Sequence, residues 1–349
     1  SHFVGSYGTA LFLLLGLFLI MDMASNLDDY LQAGTDGTSP GMGLVARYYL
    51  LKLPFLFLEV APFITLLAGM FTVNRLLKKN EVTPVLSAGI SVHRLLVPVF
   101  FCGLVLAGVM FLVREVAVSA LADKRDAALF QLEERLPRRV LREALVHDLS
   151  GSTVFLEEVY PDMTPFRARG LSAVVHQGDT TVHIRADEAV WDPGTRTLKL
   201  IGGQRAIVGE TLTEVSIDTL EGFDFTPELA LTYLRSVAPL DLSFSEVQQL
   251  MSREPEDATF NTLWHYLLTF PLANLILLLV GLPVLFQYER GKGTERMALG
   301  GLFCILYFAI DFIFRNLGLQ GGLSPILAGW LPILIVGSLG LALTDGIRT

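Results

Sequence analysis

Ionisable residues within or near the strongly apolar stretches include Asp22, Arg47, Lys52, Glu59, Asp311 and Arg315. Charge in such a stretch is costly in a bilayer and marks function by default. Lys52 and Glu59 are seven residues apart, which places both on one helix face. Lys52, near Arg47, either snorkels to the headgroups or meets an anionic lipid arriving from the outer leaflet. Glu59 is either a hydrogen-bonded carboxylate between helices or a residue of the same polar path. Asp311 and Arg315 are four apart, again on one face. Either they pair with each other, or Arg315 lines a cavity and binds phosphate or carboxylate, which a guanidinium engages bidentately. Asp22 reads as a solvated boundary residue.

Patterns for covalent or metal chemistry are missing from the sequence. There is no G-x-x-x-x-G-K-[ST] phosphate loop, and Gly291-Lys292-Gly293-Thr294 is out of frame for one. There is no H-E-x-x-H, no cysteine pair at zinc spacing and no G-x-S-x-G elbow. Cys102 and Cys304 lie in apolar runs. The six His read as surface, interface or end-of-span residues; a hairpin around Gly178-Asp179 would let His176 and His183 face each other, without a carboxylate to complete a site. No metal and no cofactor is expected, and any ATP must be bound by another chain.

The elements that hold the charged residues read as membrane helices. Of the 349 residues 52% are hydrophobic and 17% charged, with mean hydropathy +0.53. A soluble domain carries about a quarter charged residues, so the composition argues against an ordinary cytosolic enzyme, and it excludes a disordered chain, a collagen and a coiled coil. Two groups of three apolar runs stand out: Val4–Met23, Pro54–Thr72 and Leu95–Val113, then Tyr266–Phe286, Ala298–Phe314 and Pro325–Leu343. Each is close to the roughly 20 residues that span a bilayer. The division is therefore 1–113 with three spans, a polar insert 114–261, and 262–349 with three more. The chain opens on Ser1 with the first run starting almost at once, so a preceding segment is expected. A signal peptide is the competing reading of residues 1–24, although no A-x-A site follows.

The insert holds 15 of the 26 basic and 25 of the 35 acidic residues, so it carries a net −10 and the remainder +1. Nucleic-acid binding wants the opposite sign. In the short loops, Arg75, Lys78, Lys79 and Arg94 follow run two, Arg290, Lys292 and Arg296 follow run four, and Arg348 is in the tail. The loop after run five has no Lys or Arg. The positive-inside rule then puts both termini in the cytoplasm and the insert outside, in a bacterium the periplasm.

Within the insert, Ala117–Leu136 continues run three as a helix. Short alternating segments follow at Thr153–Tyr160, Gly170–His176, Thr181–Val190, Arg196–Ile201, Gln204–Val208 and Thr211–Asp218, separated by glycine turns. Their spacing predicts an antiparallel sandwich or curled half-barrel. Val182, Ile184, Ala186 and Val190 fall on one face, which is either a packed core or a groove for acyl chains. Pro227–Leu234 and Ser243–Ser252 return as helices.

After run two the chain reads Glu81-Val82-Thr83-Pro84-Val85-Leu86-Ser87-Ala88-Gly89-Ile90-Ser91. Thr83 is placed as an N-cap with Pro84 at the first helical position, and Gly89 as the stop. Such a short helix has little to bury alone; it lies on the membrane surface or fills a groove on a partner.

This segment resembles the coupling segment of the LptF/LptG family, permease subunits of the lipopolysaccharide export ABC transporter. Phe270-Pro271-Leu272-Ala273-Asn274 is similar to the opening of the family's fourth helix, and Leu323–Pro332 to its last. Ala189-Val190-Trp191-Asp192 with Leu198-x-Leu200 is similar to the strand–turn–strand signature of lipopolysaccharide-transport jellyrolls. The likeness covers nearly the whole chain. It departs at Leu86, where a basic residue is expected, and at Tyr266–Leu268, which replaces basic residues. It implies six transmembrane helices, three plus three, around a periplasmic antiparallel β-jellyroll-like domain. It implies a cytoplasmic ATPase dimer docked on Glu81, Thr83, Val85, Leu86, Gly89 and Ser91, a second permease subunit, and a periplasmic jellyroll bridge. Lipopolysaccharide would meet Arg47, Lys52, Glu59, Asp311 and Arg315 in the cavity, and Val182, Ile184, Ala186 and Val190 in the jellyroll groove. Two rivals stand beside this reading. One is a receptor or scaffold with a ligand-binding β-domain; the other is a membrane-embedded enzyme, whose acid–base pair would have to be Glu59 and Asp311.

Overall fold

The structure is a computed structural model of the chain. It describes residues 2–32, 42–132, 141–147, 151–160, 165–177, 180–207, 215–220, 226–235, 241–287 and 293–346. Helix α1 covers His2–Gln32, α2 Met42–Lys78, α3 Val82–Ser87, α4 Val92–Leu112 and α5 Ser119–Leu132. After eight strands come α6 (Pro227–Arg235), α7 (Phe244–Arg253), α8 (Ala258–Thr269), α9 (Ala273–Gln287), α10 (Gly293–Leu319) and α11 (Pro325–Asp345). Among the described residues six helical spans are long and apolar enough to cross a membrane: His2–Asn26, Met42–Lys78, Val92–Ala122, Ala258–Phe286, Glu295–Leu319 and Pro325–Asp345. Every apolar run of the sequence falls inside one of them.

The spans are not equivalent. The most apolar windows of α2 and of the α8–α9 span are 67% and 72% buried, against 11% for α1 and 22% for α10. The second and fourth spans are thus the centre of the bundle, and the first and fifth its flanks. The fourth span is not one continuous α-helix, because Pro271 cannot donate to the ladder. A 3-10 turn, Phe270–Leu272, joins α8 to α9. Asn274, fully buried, repairs the break: its Nδ2 donates to the Pro271 carbonyl (2.8 Å) and its Oδ1 accepts from Thr65 Oγ1 of α2 (2.7 Å). Irregular backbone at membrane depth persists only when its polar groups are satisfied in this way. The last span packs by close approach. A Cβ on Gly329 would meet the His265 Cβ at 2.7 Å, and one on Gly340 the Leu279 Cγ at 2.9 Å.

The third span runs on into the insert. A π-helical turn, Val113–Val118, links α4 to α5, so that Val92–Leu132 forms one helix about 60 Å long at 1.5 Å per residue. The expected extension Ala117–Leu136 is helical to Leu132, and its last residues lie outside the described ones. Helix α3 sits at the start of this helix and the β-domain at its end.

The sheet is antiparallel throughout, with order β1-β2-β3-β4-β5-β8. Its strands are β1 Leu141–His147, β2 Thr153–Tyr160, β3 Arg167–Gln177, β4 Thr180–Asp192, β5 Thr197–Ile201, β6 Gln204–Ile207, β7 Val215–Ser216 and β8 Thr219–Leu220. β5 and β6 keep one register against β4, since Glu188 faces Ile201 and Arg185 faces Gln204. They form a single edge interrupted at Gly202-Gly203, from which β8 pairs with β5 and β7 with β6. The register puts Gly170 opposite Glu157 on β2 and Asp187 on β4. Gly170 and Gly202 have φ of +63° and +70°, and a Cβ on either would collide with the carboxylate beside it, Glu157 or Asp187. This line bends the sheet and breaks the two-residue alternation. Val182, Ile184 and Ala186 face inward, but beyond the bend Ala189 takes the inner face and Val190 is half-buried. Val190 therefore leaves the face that simple alternation gives it.

Three further expectations change. β1 was not read as a strand. Of Thr211–Asp218, only Val215–Ser216 is strand among the described residues. His176 stands opposite Thr181, and His183 opposite Val174, so the two imidazoles do not face each other.

Candidate lipid and partner-docking sites

The segment Glu81–Ser91 is built by two tight helix stops. Helix α2 ends with Asn80 at φ +55°, and Glu81 N donates to the Leu76 carbonyl (3.1 Å) while Asn80 N donates to that of Leu77 (3.1 Å). Helix α3 ends likewise on Gly89 at φ +79°, with Ile90 N on Val85 O (3.2 Å) and Gly89 N on Leu86 O (2.9 Å). Both are Schellman stops, which turn the chain sharply without unsatisfied carbonyls. Glu81, not Thr83, is the N-cap, so Thr83 and Pro84 lie inside the first turn. Only Val82 of this helix is buried; Glu81, Thr83, Leu86 and Gly89 are exposed, and Val85 and Ser91 half-buried. The result is a rigid projection with 38% of Leu86 and 40% of Ile90 exposed. Among the described residues Glu81 has a loose contact with Lys79, at 3.9 Å.

At the other end of the bundle, Lys52 is held inside the chain. Its Nζ lies 2.8 Å from Asp22 Oδ2 of α1 and 5.4 and 5.9 Å from the rings of Tyr48 and Tyr49. Asp22 is thus a partner in a half-buried ion pair rather than a solvated boundary group. Arg47 and Glu59 are both exposed on α2. A carboxylate exposed in the middle of an apolar helix cannot face acyl chains cheaply. The charges acting on Glu59 are Asp241 and Lys52, and that on Asp311 is Arg315. The structure does not bring Glu59 and Asp311 together.

Asp311 and Arg315 pair loosely, at 3.9 Å, and are both largely buried. The Arg315 guanidinium lies 4.6 Å from the Tyr266 ring centre. Tyr266 is followed by Phe270 (5.4 Å between ring centres), and Phe270 by the guanidinium of Arg114 (5.9 Å). Arg114 was not singled out in the sequence, where it is merely the first charge after the third apolar run. It is 1% exposed, and its Nε, Nη1 and Nη2 have no hydrogen-bond partner among the described residues. The next residue, Glu115, turns the other way and accepts from Phe244 N of α7 (3.0 Å).

On the sheet, Val182, Ile184 and Ala186 are 1%, 4% and 6% exposed. They belong to one core that also takes in Leu229 and Ala230 of α6, Val247 and Leu250 of α7, and Phe260 and Leu263 of α8. The inner face is packed rather than open. Among the described residues no group of three His, Cys, Asp or Glu is placed to hold a metal ion.

Residues 1–345 match the family described as lipopolysaccharide export system permease LptF/LptG. The chain belongs to the LptF/LptG family. No match is found among curated proteins. Members of the LptF/LptG family are transport subunits, and with its six apolar spans this one is a multi-pass inner-membrane protein carrying an inserted β-domain. The segment Phe270–Asn274 is the 3-10 turn and the asparagine that repairs it.

Proposed function

We propose that this chain is a membrane subunit of an ATP-driven exporter that takes lipopolysaccharide from the outer leaflet of the inner membrane and passes it to a periplasmic β-jellyroll bridge. The match to the export permease family along the whole chain carries this reading. In it, both termini and α3 are cytoplasmic, and the β-domain is periplasmic. A cytoplasmic ATPase dimer docks on the α3 projection through Glu81, Thr83, Val85, Leu86, Gly89 and Ser91. The rigidity of that projection suits it to pass a push into α2 and α4. A second permease subunit of the same family closes the lipid cavity. Arg47, Lys52, Glu59, Asp311 and Arg315 line the path of the headgroup, and Lys52 reaches lipid phosphate only by exchanging Asp22 for it. Acyl chains pass along the inner face at Val182, Ile184 and Ala186, which requires the cover of α6 and α7 to lift. Val190, beyond the bend, lies at the margin of that path.

Gentle-detergent purification from the native membrane, followed by mass spectrometry of proteins and lipids, tests this. An ABC-type ATPase, a second six-span subunit and a phosphorylated glycolipid are expected; recovery of the chain alone in several detergents refutes it. Glu81→Arg is expected to release the ATPase while the permease stays folded, and retained ATPase refutes the docking assignment. Arg315→Ala is expected to lower lipid-stimulated hydrolysis with assembly intact, and unchanged stimulation removes Arg315 from the path.

A further inference from the structure

We propose that Arg114 is the receptor for a phosphate group that an amphiphile carries into the bundle. The inference deepens the transport reading and rests on it for the identity of the amphiphile. A buried guanidinium with no hydrogen-bond partner is a costly feature. The ring of Phe270 at 5.9 Å offsets a small part of that cost.

The carboxylates around Arg114 are engaged elsewhere. Asp241, which acts on its charge, is held by Arg125 in two bonds of 2.8 and 3.0 Å. Glu115 serves the backbone of α7, and Asp311 pairs with Arg315. Tyr266 is the other polar group that acts on Arg114. Arg114 is therefore a buried guanidinium to which no described carboxylate is bonded. What completes such a group is an anion.

Two features point to phosphate. A guanidinium matches its oxygens bidentately, and a phosphate monoester brings between one and two negative charges to it. The backbone is also shaped for the task. Arg114 rides on the π-helical turn Val113–Val118, an arrangement frequent at functional sites, which sends it into the bundle while Glu115 faces α7. The row Arg315, Tyr266, Phe270, Arg114 links the two guanidiniums through successive ring contacts. Arg315 is 20% exposed and meets the anion first, and the two rings stand between it and Arg114.

The test uses the complex purified from its own membrane and stripped of lipid in detergent. Thermal unfolding is followed with a bisphosphorylated acyl-glucosamine disaccharide, with its dephosphorylated counterpart, and with inorganic phosphate. The native protein should be stabilised by the first alone; equal stabilisation by inorganic phosphate would assign the site to free phosphate and overturn the amphiphile. Arg114→Met should melt higher than the native protein without lipid, because an unpaired charge is gone. It should bind the phosphorylated lipid roughly tenfold or more weakly, the loss expected for a charge-assisted pair. Should the Met variant not assemble, Arg114→Lys keeps the charge but not the fork, and is expected to lose most of the phosphate-dependent shift. A Met variant that melts lower and keeps that shift overturns the proposal, as does a Lys variant with the full shift. So does a native protein stabilised equally by the dephosphorylated lipid. A failed transport reading shows separately, as a preparation without ATPase or second subunit, and leaves the melting comparison readable.

Discussion

Replacing Asp241 by Asn should loosen the joint between the membrane bundle and the β-domain. Arg125 of α5 donates to both Asp241 oxygens, at 2.8 and 3.0 Å, and to Asp126 Oδ1 at 2.7 Å. Its guanidinium lies 4.1 Å from the Phe55 ring centre of α2. Two residues after Asp241, Ser243 caps α7 in a reciprocal box with Glu246. One bidentate pair thus ties the extension of the third span to the entry of the helix that leads into the fourth. Exposed pairs contribute about 0.2–1 kcal/mol, and removing one partner of a fully buried pair costs about 3–5. The Arg125 and Asp241 side chains are 13% and 24% exposed, so Asp241→Asn is placed between these limits, at about 2 kcal/mol. At roughly 2–4 °C per kcal/mol for a unit of this size, the melting temperature falls by about 4–8 °C. Burial lowers the Arg125 pKa, but the bonds and charges of Asp241 and Asp126 outweigh it and the net shift is upward. Its charged form is therefore favoured in the fold, and this contribution persists across the neutral range and is lost only in strong alkali. The assay is unfolding of the solubilised complex with Arg125→Met, Asp241→Asn and the double variant, at low and high salt. A coupling below about 0.5 kcal/mol, or one that vanishes in salt, would show a solvated surface pair and refute the clamp.

Two other outcomes follow from the same structure. Glu254 is half-buried and accepts from Tyr233 Oη at 2.7 Å, and burial raises its pKa above the usual value of 4.5. A raised carboxyl favours folding below the unfolded value and loses that advantage as pH rises through its folded value. Glu254→Gln, which still accepts from Tyr233, should then stabilise the β-domain at pH 7, with the gain shrinking towards zero as pH falls below about 4.5 in a melting series. Gly329→Val puts carbon into the His265 backbone, and overpacking of this kind costs about 1–3 kcal/mol. It should lower the melting temperature of the bundle, whereas Gly301→Val, with open space at its Cβ, should not.

The bundle was legible because its signal is local. Each span announces itself by some twenty apolar residues, and even the broken fourth span carries its break in Phe270-Pro271-Leu272. The sheet was half legible. β2 has the bounds its sequence predicts, Thr153–Tyr160, although its buried face runs Val154, Leu156 and then shifts to Val159, but β1, Leu-Arg-Glu-Ala-Leu-Val-His, clusters its apolar residues at Ala144–Val146 and shows no period of two. Val190 was misplaced for a non-local reason. The bend that turns it outward is made by Gly170 and Gly202, which become neighbours of Glu157 and Asp187 only once four strands are aligned.

The charged residues divide in the same manner. Asp311 and Arg315 meet because one helical turn brings them together, so their pairing is written in the sequence; Lys52 and Asp22 are 30 residues apart and meet only through the packing of α1 on α2. Arg114 and Asn274 make the sharper contrast. Both are buried polar residues at the β-domain half of the bundle, and composition alone cannot rank them. Asn274 has its carbonyl oxygen and its amide engaged, by Thr65 and by the Pro271 carbonyl, so it repairs a helix and asks nothing more. Arg114 brings a full charge and three nitrogens and finds no acceptor among the described residues. In a bilayer, where an unsatisfied polar group has no water to turn to, that difference separates a residue that holds the architecture from one that waits for a ligand. The accounting that separates them needs three spans in place at once, which is why no reading of the third span by itself could have found Arg114.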